Sequence, residues 1–167
     1  MVMDNIRRSR HPRILVHYTV NRENIDDIPR LAEHLASRGR VRGMTFQFFY
    51  PYGQGEADLT LDERERAYAV DVIVRLKRSG TLPVLNSAGC LRRMIKNDWI
   101  CRPWMIANVD PDGIVGTGCY VARRGTVRCT HCGFTPVAEL SRSYSLHPES
   151  LFSGWRTLLR GPACVRA

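Results

Sequence analysis

The sequence predicts an α/β fold, with a first half that alternates strand and helix, followed by a small cysteine-rich β-hairpin and closing helices. Three observations predict it. Apolar, β-branched runs near 14–20, 43–49 and 82–87 alternate with stretches whose apolar residues recur at helical spacing. Alternation of this kind implies parallel strands joined by crossovers, as in α/β barrels and doubly wound sheets. Beyond Trp99 the character changes to a turn-rich stretch that carries four of the cysteines before helical segments return.

Residues 1–13 read as a basic tail, and Ile14 to Val20 as the first strand. From Asn21 to Arg38, Ile25, Ile28, Leu31, Ala32 and Leu35 keep helical spacing, with Gly39 beyond the end. Gly43 to Phe49 is the second strand. A loop at Tyr50 to Gly55 leads to a capping box, Thr60-Leu61-Asp62-Glu63, opening a helix to about Arg78. That helix carries Ala67, Val70, Ile73 and Val74 on one face, and Gly80 stops it. Leu82 to Ser87 reads as a third strand and Ala88 to Asn97 as a short helix. Trp104 to Val109 and Ile114 to Cys119 flank the turn Asp110-Pro111-Asp112-Gly113, which predicts a hairpin. Pro136 to Leu146 and Pro148 to Leu159 are the closing helices. Three segments result: the tail 1–13, the alternating unit 14–98 and the cysteine-rich unit 99–160.

A chain of 167 residues, 44% hydrophobic and 25% charged, suits one domain or one with a small appendage. No run approaches the ~18 apolar residues of a membrane span, and the start lacks an apolar signal core. A cytoplasmic protein is expected, and in that reducing compartment six cysteines read as ligands rather than disulfides. The net charge of +9 raises nucleic acid as a partner. Against it, the basic residues are spread along the chain apart from Arg7, Arg8, Arg10 and Arg13. Moreover, 23 of the 25 are arginine, as GC-rich coding would produce. Arg102, Arg123, Arg124 and Arg128 flank the cysteines, where cations would lower thiol pKa values.

Five cysteines lie between residues 90 and 132, the last two in the knuckle Cys129-Thr130-His131-Cys132-Gly133. A C-x-x-C pair presents two thiolates to one side of a metal, and Cys101 and Cys119 supply two more. Zinc and an iron–sulfur cluster are the candidates. Zinc ribbons use two C-x-x-C pairs; here there is one, and seventeen residues separate Cys101 from Cys119, which favours the cluster. Cys90 reads as a packing residue, Cys164 lies in the terminal tail, and His131 is read as facing solvent. A turn centred on Pro111 and Asp112 would set Cys119 opposite Trp104. Cys101 would then lie about 10 Å further along, unless Arg102-Pro103 bends the chain back.

Strand parity gathers polar groups at strand ends, with His17, Thr19 and Asn21 on one face of the first strand, Thr45 and Gln47 on one face of the second, and Asn86 closing the third. They serve either a ligand or simply the strand ends. Other signatures fail: Gly53-Gln54-Gly55 lacks the third glycine of a dinucleotide loop, Asp58 standing in its place, and there is no Walker pattern, H-E-x-x-H or G-x-S-x-G. Asp62, Glu63 and Glu65 make an acidic first turn of the kind a helix dipole favours.

Val20-Asn21-Arg22-Glu23-Asn24, the loop Phe46-Gln47-Phe48-Phe49-Tyr50-Pro51-Tyr52-Gly53 and Pro83-Val84-Leu85-Asn86-Ser87 resemble the second half of a radical S-adenosylmethionine barrel. Cys101-Arg102-Pro103-Trp104, Asp112-Gly113, Gly118-Cys119-Tyr120 and Cys129-Thr130-His131-Cys132-Gly133 resemble the auxiliary-cluster (SPASM/twitch-like) segment of such proteins. The similarity, over about residues 14–160, is to the groups related to adenosyl-hopene transferase and to archaeal lipid-modifying members. It implies a partial (β/α) barrel formed by the last three βα units. It also implies an auxiliary 4Fe–4S cluster on Cys101, Cys119, Cys129 and Cys132, with Asn21, Gln47 and Asn86 facing cofactor or substrate. The family's radical-generating C-x-x-x-C-x-x-C is absent from the sequence. Use of S-adenosylmethionine is therefore expected to need that half from a second polypeptide or from a full-length gene of which this chain is a fragment or a mis-called start, and a small-molecule or lipid-like substrate is implied. The rival readings are a non-enzymatic zinc module contacting nucleic acid through its arginines, and an electron-transfer or scaffold subunit.

Overall fold

A computed structural model describes residues 2–11, 13–53 and 55–158, apart from the side chains of Arg123 and Leu158. Gln54 and Cys164 therefore lie outside the described residues. The basic tail opens with a helix, α1 (Val2–Arg8), because Ile6 and Met3 find apolar neighbours in the core. Two strands follow, β1 (Ile14–Val20) and β2 (Val41–Phe48), joined by α2 (Ile28–Ala36). They pair in parallel, with His17 opposite Thr45 and Thr19 opposite Gln47. On α2 the residues Ile28, Ala32 and Leu35, spaced as one helical stripe, are buried.

The next helix, α3 (Glu63–Ser79), starts two residues later than the sequence motif suggests. Asp62, not Thr60, is the cap. Its carboxylate accepts from the Glu65 N–H at 2.8 Å, and the Glu65 carboxylate accepts from the Asp62 N–H at 2.8 Å. The helix buries Ala69, Val70, Ile73 and Leu76, and ends at Gly80, whose φ of +72° suits a residue without Cβ. The short α4 (Ala88–Arg93) is capped by the Ser87 hydroxyl, and α5 (Thr135–Tyr144) and α6 (Pro148–Leu158) pack against it.

The partial (β/α) barrel is not what forms. The described residues hold two small sheets of two strands each, β1–β2 and a hairpin, within a mixed helix–strand structure. The third expected strand contributes one parallel bridge, Met44 to Val84, with bonds from the Met44 N–H to Pro83 O and from the Leu85 N–H to Met44 O. The ladder then stops because a side chain takes the place of the next peptide. Asn86 accepts from the Phe46 N–H at 2.7 Å and donates to the Phe46 carbonyl at 3.1 Å. Thr135 also donates to that carbonyl, and the Phe48 N–H turns to Gly133 O at 3.0 Å. The far edge of β2 is thus closed by side chains and the cysteine knuckle, leaving no ladder for a further strand.

The hairpin pairs β3 (Ala107–Val109) with β4 (Val115–Thr117), Asn108 facing Gly116. The expected register is off by one. Gly113 adopts φ +82° and the Asp110 N–H bonds to Ile114 O, so the loop has three residues rather than two. Among the described residues no helix is long and apolar enough to cross a membrane.

Candidate metal centre

The site is built on the polar face of β1–β2. Met44, Phe46 and Phe48 enter the core, so period-2 alternation puts Thr45 and Gln47 on the opposite face. Two cross-strand pairs tie that face together. His17 Nδ1 meets Thr45 Oγ1 at 2.7 Å, and Gln47 donates to Thr19 Oγ1 at 3.0 Å. Over this face lies a cavity of about 530 Å³, walled largely by aromatic and aliphatic groups including Phe49, Tyr52, Trp99 and Val121. His17, Thr19 and Gln47 line it, and so do Cys101, Cys119, Cys129 and Cys132.

Each cysteine arrives by its own device. Cys101 precedes a 3₁₀ turn at Pro103–Met105 that bends the chain back, as the Arg102-Pro103 step suggests. The Arg102 N–H donates to Ser141 Oγ at 2.9 Å and its guanidinium lies 4.6 Å from the Tyr144 ring centre, which fixes this segment on α5. Cys119 follows Gly118, at φ +104°, where the chain leaves the hairpin. Cys129 and Cys132 flank a 3₁₀ turn, Cys129–His131, closed by the Cys132 N–H on Cys129 O.

The knuckle is pinned through four successive carbonyls. Thr130 O accepts from Asn97 Nδ2 at 2.7 Å. His131 O and Cys132 O accept from the Arg66 guanidinium at 2.9 and 3.1 Å, and Gly133 O accepts from the Phe48 N–H. Gly133 passes so close to β2 that a Cβ there would lie 1.9 Å from Phe48 O. Tyr50 holds the approach to the knuckle, its hydroxyl donating to Thr126 O at 2.7 Å and accepting from the Arg128 N–H at 2.9 Å.

All five described cysteines are free thiols. Burial pushes the Cys101 thiol up to about 11, reinforced by Cys132, Cys119 and Cys129, so the four sulfurs are close enough to feel one another's charge. Burial also raises Cys132. A hydrogen bond from the Phe134 N–H and the charge of Arg66 oppose that rise by stabilising its thiolate. Among the described residues, however, no group of three or more His, Cys, Asp or Glu could hold a metal ion. A single tetrahedral zinc, with Zn–S of about 2.3 Å, needs sulfurs within about 4 Å of one another. The four cysteines do not form such a group as they stand.

Of the three residues expected to face cofactor or substrate, only Gln47 lines the cavity. Asn21 completes a local turn, its side chain accepting from the Glu23 N–H at 3.0 Å. Asn86 is buried and committed to Phe46 at both ends of its amide. His131 is absent from the cavity wall, and Cys90, within α4, is fully buried, its thiol raised by burial. Two of the flanking cations are engaged elsewhere, while Arg128 lines the cavity and the Arg123 side chain lies outside the described residues. Arg124 pairs with Asp110 at 3.2 Å and Arg102 stacks on Tyr144, while Arg66 is the cation that opposes the rise at Cys132. Sequence reasoning missed Arg66, although it sits on the same helical stripe as Val70 and Ile73, where a charged residue signals a buried partner. It also missed Asn97, held at φ +54°.

No protein-family model matches the chain, and no curated protein or solved structure matches it.

Proposed function

We propose that this chain is an iron–sulfur protein in which Cys101, Cys119, Cys129 and Cys132 hold one 4Fe–4S cluster of the auxiliary kind implied by the resemblance to radical S-adenosylmethionine proteins. The observation that carries the reading is that four free thiols, from three separate chain segments, line one cavity. The surroundings support a stable anionic site. The Phe134 N–H and Arg66 favour the Cys132 thiolate, and the pinned carbonyls hold the knuckle in place. When bound, such a cluster supplies one-electron transfer. The chain's own part is to position the thiolates, to limit water with aromatic walls and to present Gln47, His17 and Thr19 beside them. The apolar walls support a small-molecule or lipid-like substrate. Cleavage of S-adenosylmethionine is assigned to a C-x-x-x-C-x-x-C segment outside this sequence, on a partner chain or a longer gene product, and a reducing, cytoplasmic setting keeps the thiols free.

Anaerobic purification followed by loading with ferrous iron and sulfide, in competition with zinc, tests the reading. Brown protein that retains iron and acid-labile sulfide against equimolar zinc is expected. Colourless protein with one tightly held zinc would replace it with the zinc-module reading.

A further inference from the structure

We infer that the end of the molecule opposite the cysteines binds the phosphate backbone of a nucleic-acid duplex. The basic residues look dispersed along the sequence, but the fold gathers six of them. β1 and β2 run in parallel, and Ile14 pairs with Val41, so Arg13 enters beside Arg40 and Arg42. The Ile14 N–H bonds to Arg40 O, and the Arg40 guanidinium donates to Ser9 O, drawing in the segment that carries Arg8 and Arg10. Arg38, beyond α2, completes the group, its backbone carbonyl accepting from the Arg40 N–H at 2.7 Å. The register skips Arg42, since Ile14 faces Val41 and Leu15 faces Gly43, so Arg42 stands out of the ladder. Arg13 is half-buried and the other five are exposed.

Clustering at one end, together with the lack of carboxylate partners among the described residues, marks this patch. Arg22, Arg30, Arg75, Arg93 and Arg124 each have a carboxylate within salt-bridge distance. None of the six has one among the described residues. Six unneutralised guanidinium groups at one end form a polyanion site, and the planar fork of arginine suits phosphate oxygens. A duplex fits better than a single strand, because no Phe, Tyr or Trp adjoins any of the six in sequence to stack bases. It also fits better than a lipid surface, which needs an apolar face to insert, whereas α1 buries Ile6 and packs Met3 against the core. The patch lies about 20 Å, the length of β1, from the cysteine end. It is independent of the cluster proposal.

The test is fluorescence anisotropy of a labelled duplex of about 20 base pairs titrated with the full chain across a salt series. Up to six phosphate contacts give a log–log salt slope as steep as about −5, each contact contributing about 0.9. Arg10→Gln/Arg42→Gln should lower the slope by about 2 and weaken binding about sixtyfold at roughly 0.1 M salt, with circular dichroism unchanged. Arg64→Gln/Arg92→Gln, an exposed pair elsewhere, should leave the affinity within about twofold. Equal loss in both pairs, a slope shallower than about −2, tighter binding to the corresponding single strand, or binding to phosphatidylserine vesicles but not to duplex would each overturn the inference.

Discussion

Replacing Arg66 by methionine probes the centre more sharply than removing any cysteine. The guanidinium, only 3% exposed, donates to Met94 O and Cys132 O at 3.1 Å and to His131 O at 2.9 Å, and lies 5.5 Å from the Phe48 ring centre. Methionine keeps most of the apolar stem and removes all three donors. Hydrogen bonds from a charged group are worth about 1.5–3 kcal/mol each, a gross loss of about 4–9 kcal/mol. Part of that is returned, because the variant no longer buries a charge, a penalty of several kcal/mol. The His131 and Cys132 carbonyls, only partly buried, can also rehydrate. The net destabilisation should be about 3 kcal/mol, or a fall in Tm of about 6–12 °C for a chain of this size. Because two of the three acceptors belong to the knuckle, Arg66→Met should also lose its cluster to a chelator at least tenfold faster than wild type. Urea unfolding and the decay of visible absorbance under chelator measure the two effects. A stability loss below about 0.5 kcal/mol, or a large loss with unchanged release rate, would refute the clamp.

Three further outcomes are expected. Gly133→Ala places a Cβ 1.9 Å from Phe48 O and should cost about 2–3 kcal/mol in denaturant unfolding while weakening metal retention. Asn86→Leu strands the Phe46 N–H and should cost about 2–3 kcal/mol, yet leave cavity ligands unaffected, whereas Gln47→Leu should do the reverse. Burial raises the Glu139 pKa, although Ser87 donates to both its oxygens. Above the unfolded value the folded chain therefore binds more protons than the unfolded one, so stability falls as pH rises. Tm measured from about pH 5 to pH 8 should decline less in Glu139→Gln than in wild type.

Much of the local structure was legible because it rests on period and caps. The stripe Ile28, Ala32 and Leu35 and the terminator Gly80 announce their helices directly. What escaped depends on single side chains standing in for backbone. Leu82 to Ser87 has strand composition, but the Asn86 amide ends the ladder, and with it the basis for a barrel. The capping box moved to Asp62 and Glu65 because two competing acceptors, Thr60 and Asp62, lie two residues apart in the sequence, which does not rank them. The hairpin register slipped by one because Gly113 takes a positive φ. The knuckle spacing predicted a thiol pair, whereas the approach of Cys101 depended on a 3₁₀ turn that Pro103 only hinted at. The gathering of Arg13, Arg40 and Arg42 follows from strand register, which composition does not contain.

The most direct test of the central claim is the iron and acid-labile sulfide content of the anaerobically reconstituted chain, beside single Cys→Ser variants at 101, 119, 129 and 132 and a Cys90→Ser control. The account predicts about four irons and four sulfides per chain in wild type and in the control, with a clear loss in each of the four others. Full iron in Cys101→Ser or Cys119→Ser, or loss in Cys90→Ser alone, would contradict it.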